Sequence, residues 1–245
     1  MKIKPISIWT SLAFFGGAAL LVLLTERFIV PKLASMGVHH VWNFLILRSP
    51  HMVFFIVALI AYRSEGHVWS FKALKDRFRI YPLKRKMWLP VLAFGAINIG
   101  LYLLVFWLGH PLLIWLRDIF PTPEIVFEVM GKKPMFAGYN MVGNWWLLGL
   151  FFVTYFFNIM GEELLWRGYI FPRQQLTYGK RAWIVHGLLW TGFHLFAPYN
   201  ALLVLPGALF MSYIVQKYNN TTIFIISHAM MNAIPMIALI TGILN

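Results

Sequence analysis

Runs of about 20 predominantly apolar residues, the length a helix needs to cross a bilayer's hydrocarbon core, recur along the chain near 6–30, 40–62, 87–108, 144–163, 182–198, 200–216 and 221–243. Short polar stretches separate them. The pattern predicts an all-α fold: a polytopic transmembrane helical bundle of about seven or eight helices, with any working polar residues inside the bundle. From His110 to Phe120 a shorter apolar segment suits an interfacial or re-entrant helix. The first run follows MKIKPISIWT, whose basic start resembles a signal peptide. Its apolar stretch of about 19 residues lacks a convincing small-x-small cleavage site, so it is read as a retained helix. No repeat or low-complexity linker divides the chain, and 1–245 reads as a single integral membrane domain.

Charge orients this bundle. The segment RSEGHVWSFKALKDRFRIYPLKRK, 63–86, holds eight Lys/Arg against Glu65 and Asp76, which marks it as cytoplasmic by the positive-inside rule. Seven spans then place the N-terminus in the cytoplasm. Lys2, Lys4, Arg173, Lys180, Arg181 and Lys217 fall on the same side, while Arg27, Lys32, Arg117, Lys132 and Lys133 fall outside. Topology thus accounts for the net charge of +13, and the expected partners are membrane lipids rather than nucleic acid. FKALKDRF suits the surface of anionic lipid. The host membrane is the plasma (inner) membrane of a prokaryote or the endoplasmic reticulum membrane of a eukaryote.

Composition narrows the chemistry. Of 245 residues, 60% are hydrophobic and 12% charged, which excludes an ordinary soluble domain. The absence of cysteine excludes disulfides, thiolate metal ligands and a cysteine nucleophile. HExxH does not occur, so the usual zinc-protease helix signature is missing. Acidic residues number eight, and beyond Glu128 there are two, adjacent, in FFNIMGEELLWRGYIF: Glu162 and Glu163.

Helical angles separate these two carboxylates. Glu163 and Arg167 form an i, i+4 pair with the acid first, the favourable order. Glu162 points about 100° away, over Trp166, and lacks a local partner. A lone carboxylate at membrane depth costs about 2.5–3.5 kcal/mol on insertion scales and normally faces a bundle interior or a wet cavity. Partners are available in later spans. HGLLWTGFHLF places Trp190 and His194 at i, i+4, with His186 a turn earlier, and ISHAMMNAIP places His228 and Asn232 at i, i+4. Together these groups can activate water and hold an oxyanion. His186, His39, His40, His51, His67 and His110 read as bundle or loop contacts. Arg48, with His51 nearby, either marks a polar cavity or snorkels. Depth counting leaves a tension: His194 falls deeper than Glu162 unless the fourth helix continues past Arg167 or the fifth starts later and tilts.

The order GEELLWRG at 161–168, WTGFH at 190–194 and HAMMN at 228–232 resembles the CPBP or Abi family of intramembrane proteases, which includes the type II CAAX prenyl endopeptidase. The resemblance covers 144–243, the motif-bearing core; the first 143 residues carry no matching motif. The family usually has Phe where this chain has Trp190, a change that keeps an aromatic wedge beside His194. The resemblance implies an endopeptidase acting on a membrane-associated peptide or protein substrate, the prenylated CAAX type being the one its best-known relatives cleave. It implies that Glu162 and His194 activate water, that His228 and Asn232 hold the oxyanion, and that Glu163, Arg167 and Trp190 support the site. Glu162, His194 and His228 suit zinc as ligands or act on water directly, so the cofactor is either none or Zn2+. Two other classes fit the same residues: a non-catalytic membrane interaction or immunity protein, and a proton- or cation-coupled transporter with Glu162 as carrier.

Overall fold

The computed structural model describes residues 3–121 and 135–244; Lys2, Lys132 and Lys133, assigned to sides of the membrane above, lie outside the described residues. Helix dominates. Ser7 caps the first helix, α1 (Ile8–Leu24), by accepting from the Thr10 N–H. A π-helical turn at Thr25–Ile29 carries the chain into α2 (Val30–Ser35). Next come α3 (His40–Ser64), the short surface helix α4 (Phe71–Arg77) capped by Ser70, α5 (Trp88–Leu108) and α6 (His110–Ile119). A two-stranded hairpin pairs Met135–Phe136 with Tyr139–Asn140. The second half contains α7 (Trp146–Glu162), α8 (Phe171–Tyr178), α9 (Ala182–Phe193), α10 (Pro198–Tyr218), α11 (Thr221–Met231) and α12 (Ile234–Leu244).

Every expected apolar run falls on helix, but the division into spans differs. Among the described residues, five helical stretches are long and apolar enough to cross a membrane, or six if α11 and α12, bent by 43°, count as one broken span. The expected fourth and fifth spans lie within one continuous helical path, Trp146–Phe196. The fourth helix does continue past Arg167: α7 runs through a π-helical stretch, Glu163–Ile170, directly into α8. The fifth is shorter than expected. The 12 residues of α9 rise about 18 Å at 1.5 Å each, less than the ~30 Å hydrocarbon core. This helix ends in a tight turn at His194–Phe196, before Pro198 opens α10.

Apolar side chains point both inward and outward, as in a bundle solvated by lipid. Phe15, Phe54, Tyr62, Trp166, Phe193 and Phe224 belong to one buried cluster, whereas Leu89, Leu103, Trp107 and Leu108 of α5 are exposed. A patch of that kind on a soluble surface would drive association; in an integral membrane protein it meets acyl chains. α3 packs along α7, and α10 lies against α5 and α9. Gly161 sets the first contact: a Cβ there would collide with the His51 carbonyl, so only glycine lets the two backbones come so close.

The π-helical stretch is fully enclosed, with all eight of its residues buried. Such turns open the normal helical ladder, and here a neighbouring helix adds a side-chain bond to one of the carbonyls. Arg77 of α4, almost fully buried, donates to the Gly168 carbonyl at 2.8 Å and holds Glu65 through two further bonds. Arg173 also binds Glu65. The basic segment therefore does more than balance lipid charge: part of it braces the helix that carries both glutamates.

Candidate active site

Glu162 closes α7 and Glu163 opens the π stretch, so the change of helical pitch falls between the adjacent carboxylates. Both are buried, at 3% and 0% exposure, deep enough that each carboxylate needs protein partners. They find different ones.

Glu163 Oε1 accepts from Arg167 NH1 at 3.2 Å and from His228 Nδ1 at 2.8 Å. The i, i+4 pair read from the sequence is thus present and recruits His228 from α11. The Arg167 guanidinium carbon lies 3.7 Å from the ring centroid of Phe224 and 4.1 Å from that of Trp190, where cation–π attraction stands in for water. Because an ionised Glu163 only accepts, His228 Nδ1 carries a proton and its Nε2 is left for other work.

Glu162 looks the other way. Its Oε2 accepts from the Trp190 indole N–H at 2.9 Å, and its Oε1 lies 3.5 Å from His51 Nε2. Trp190 is therefore a hydrogen-bond donor to the site as well as an aromatic wedge. The role suits tryptophan, whose indole pairs a large apolar face with one N–H. His194 makes no hydrogen bond to Glu162. It sits where α9 tightens, donating from Nδ1 to the Trp190 carbonyl at 2.8 Å, an arrangement that places a proton on Nδ1 and leaves Nε2 for other work.

Asn232, the residue that caps the end of α11, donates to Asn158 Oδ1 at 2.8 Å. Asn158 is one turn before Glu162, so the Asn pair lies one helical turn away from the acid–histidine layer. Glu162, Glu163, Arg167, Trp190 and His228 thus share one buried network, His194 adjoins it through Trp190, and Asn232 stands a turn beyond.

Sequence reasoning reads His51 as a bundle contact or, with Arg48, as the mark of a polar cavity, and does not single out Asn158. His51 lies in the first half of the chain, on a helix without a motif, and a single histidine in an apolar run gave no sign of its partner. Asn158 had a legible signal that went unused, its i, i+4 spacing from Glu162. His186 is fully buried elsewhere, bound through Nδ1 to Gln174 at 2.7 Å, and Gln174 in turn bonds Ser11. That network ties α1, α8 and α9 together.

For zinc, the donor types are right but the spacing is not. Glu162, His194 and His228 offer a carboxylate and two imidazoles, yet no group of three His, Asp or Glu side chains among the described residues is arranged to hold an ion.

Residues 144–234 match the family model described as type II CAAX prenyl endopeptidase Rce1-like. This segment is similar to the Rce1-like family. The matched segment contains every motif residue named above, from Glu162 to Asn232, whereas His51 and Arg48 lie outside it. No curated protein and no solved structure matches the chain.

Proposed function

We propose that the protein is an intramembrane endopeptidase that hydrolyses a peptide bond in a membrane-associated substrate, with Glu162 as its proton-transferring group. The Rce1-like match supports an endopeptidase of the CAAX type in general. The observation that carries the finer reading is the buried network in which two adjacent glutamates are separated into different roles.

Glu163 holds both Arg167 and His228 through Oε1, while its Oε2 lies buried without a hydrogen bond, and it has a structural task. Glu162 keeps one indole donor and one imidazole neighbour, and a carboxylate has about four lone-pair sites, so it still has capacity to accept a water proton. In this mechanism Glu162 removes a proton from water with His194 Nε2 alongside, and the hydroxide adds to the scissile carbonyl. Two carboxylates and Arg167 leave the buried group one negative charge in excess; one further proton on an imidazole balances it. Carried by His228, that proton makes Nε2 a donor to the oxyanion. The second N–H of the Asn232 amide, not used on Asn158, is the other donor. Collapse of the tetrahedral intermediate breaks the C–N bond, and Glu162 returns its proton to the leaving amine.

The prenyl group in the family's name gives the substrate class to try first. Purified protein in nanodiscs is incubated with an S-farnesylated CAAX-type peptide and its unlipidated twin, and products are read by mass spectrometry. Cleavage by wild type that is abolished in Glu162→Gln and His228→Ala supports the mechanism. Equal cleavage by all three proteins would sink it. Exhaustive chelation is expected to leave the wild-type rate unchanged; a rate lost on chelation and restored by Zn2+ overturns the direct attack of water.

A further inference from the structure

Two layers of polar side chains cross the bundle on the same three helices. His51 of α3, Glu162 of α7 and His228 of α11 form one. Arg48, Asn158 and Asn232 form the other, each three or four residues away along its own helix, the spacing that puts side chains on one face. The second layer borders a cavity of about 90 Å3, whose walls include Phe44, Phe151 and Tyr155 as well as Arg48, Asn158 and Asn232.

Arg48 is the unusual member. Its side chain makes no hydrogen bond or ion pair among the described residues, and its guanidinium carbon rests 5.8 Å from the centroid of the Phe44 ring. Glu26 acts on it electrostatically without forming an ion pair, and one buried Glu26 oxygen is itself without a hydrogen bond. An arginine placed within a membrane-spanning helix normally pairs or marks a ligand path. Its planar fork, with five donors, matches a carboxylate with two parallel bonds. Asn158 uses its carbonyl oxygen to accept from Asn232, which leaves its own amide N–H groups for the same ligand.

We infer that this cavity is a carboxylate-binding subsite of the substrate path and that Arg48 is its specificity-determining residue. The inference rests on the peptidase reading of the neighbouring layer. One helical turn, about 5.4 Å, separates the layers, and an extended peptide advances about 3.3 Å per residue. The anchored carboxylate therefore lies within a few residues of the bond that breaks. It belongs either to the end of the chain or to an acidic side chain near it.

The test uses nanodiscs of neutral phosphatidylcholine, which keep anionic headgroups out of competition, and three farnesylated peptides: a free acid, its carboxamide, and the carboxamide with a Glu near its end. Arg48→Gln is expected to raise KM for the free acid about 10- to 100-fold, as for loss of charged hydrogen bonds, with kcat near wild type and the plain carboxamide unaffected. Arg48→Lys falls between. Sensitivity of the Glu-bearing carboxamide to Arg48→Gln assigns the carboxylate to a side chain; insensitivity assigns it to the chain end. An unchanged KM for the acid, or an equal change for acid and plain carboxamide, overturns the inference. Binding of the fluorescein-labelled acid and carboxamide to Glu162→Gln protein needs no turnover. A preference for the acid that vanishes on adding Arg48→Gln upholds the subsite even where wild type cleaves nothing, an outcome that defeats the peptidase reading alone.

Discussion

The indole N–H of Trp190 donates to Glu162 Oε2 at 2.9 Å, joining α9 to the end of α7 at the carboxylate assigned the proton transfer. Phenylalanine, usual in the resembling family at this position, has the ring but not the donor. Trp190→Phe therefore tests the bond with little change in packing. A hydrogen bond to a charged group contributes about 1.5–3 kcal/mol, and loss of the bond leaves a buried oxygen less well held. Thermal unfolding in detergent should fall in midpoint. Peptide cleavage should lose roughly tenfold in kcat with KM little changed, the signature of a group that acts after binding. An unchanged kcat would show that the indole only packs.

His51 approaches Glu162 because Gly161 lets α3 and α7 meet. Two substitutions separate the histidine from the helix contact. His51→Ala removes the imidazole while leaving the backbones together and is expected to lower kcat by on the order of 10- to 100-fold. Gly161→Ala inserts a Cβ against the His51 carbonyl; overpacking costs about 1–3 kcal/mol, so it should lower both stability and activity. Full activity in His51→Ala removes this residue from the mechanism.

These two residues show where the sequence was legible. The motif residues of the second half could be read because each helix carries its pair at i, i+4, and chemistry that repeats with the helical period is visible in one dimension. Glu163 and Arg167 pair as that spacing predicts. His51 meets Glu162 across more than a hundred residues, through a glycine contact that has no periodic signature. Depth was legible only as a tension. Counting from span ends left open whether the fourth helix continues past Arg167; it does, through a π-helical stretch, and α9 stops short at His194 instead of crossing.

Burial of Glu163 with Arg167 gives a sharp stability prediction. Glu163→Gln leaves a guanidinium in the bundle with its rings but no anion, and breaking a buried pair from one side costs about 3–5 kcal/mol. Replacing both, as Glu163→Gln with Arg167→Met, removes the uncompensated charge and should recover much of the unfolding midpoint. Activity should not return, because His228 loses the carboxylate that fixes its tautomer. A double variant no more stable than Glu163→Gln would show that the pair does not govern local stability.

Glu65 predicts how the brace on the π stretch responds to acid. Burial raises its pKa, but the bonds from Arg77 and Arg173 more than offset this and hold the carboxyl below its ordinary value of 4.5. A carboxyl whose native pKa is depressed stabilises the folded state fully above the unfolded value and loses that contribution as pH falls through the native one. Unfolding midpoints should therefore be flat from neutral pH to about 5 and decline below 4.5, as Glu65 becomes protonated and releases both arginines. Glu65→Gln should start lower at neutral pH and show a smaller acid decline, because its amide cannot gain the proton. Since Arg77 also holds the Gly168 carbonyl, amide exchange in 163–170 should rise in Glu65→Gln ahead of global unfolding. Parallel acid profiles for the two proteins would place the acid-sensitive group elsewhere.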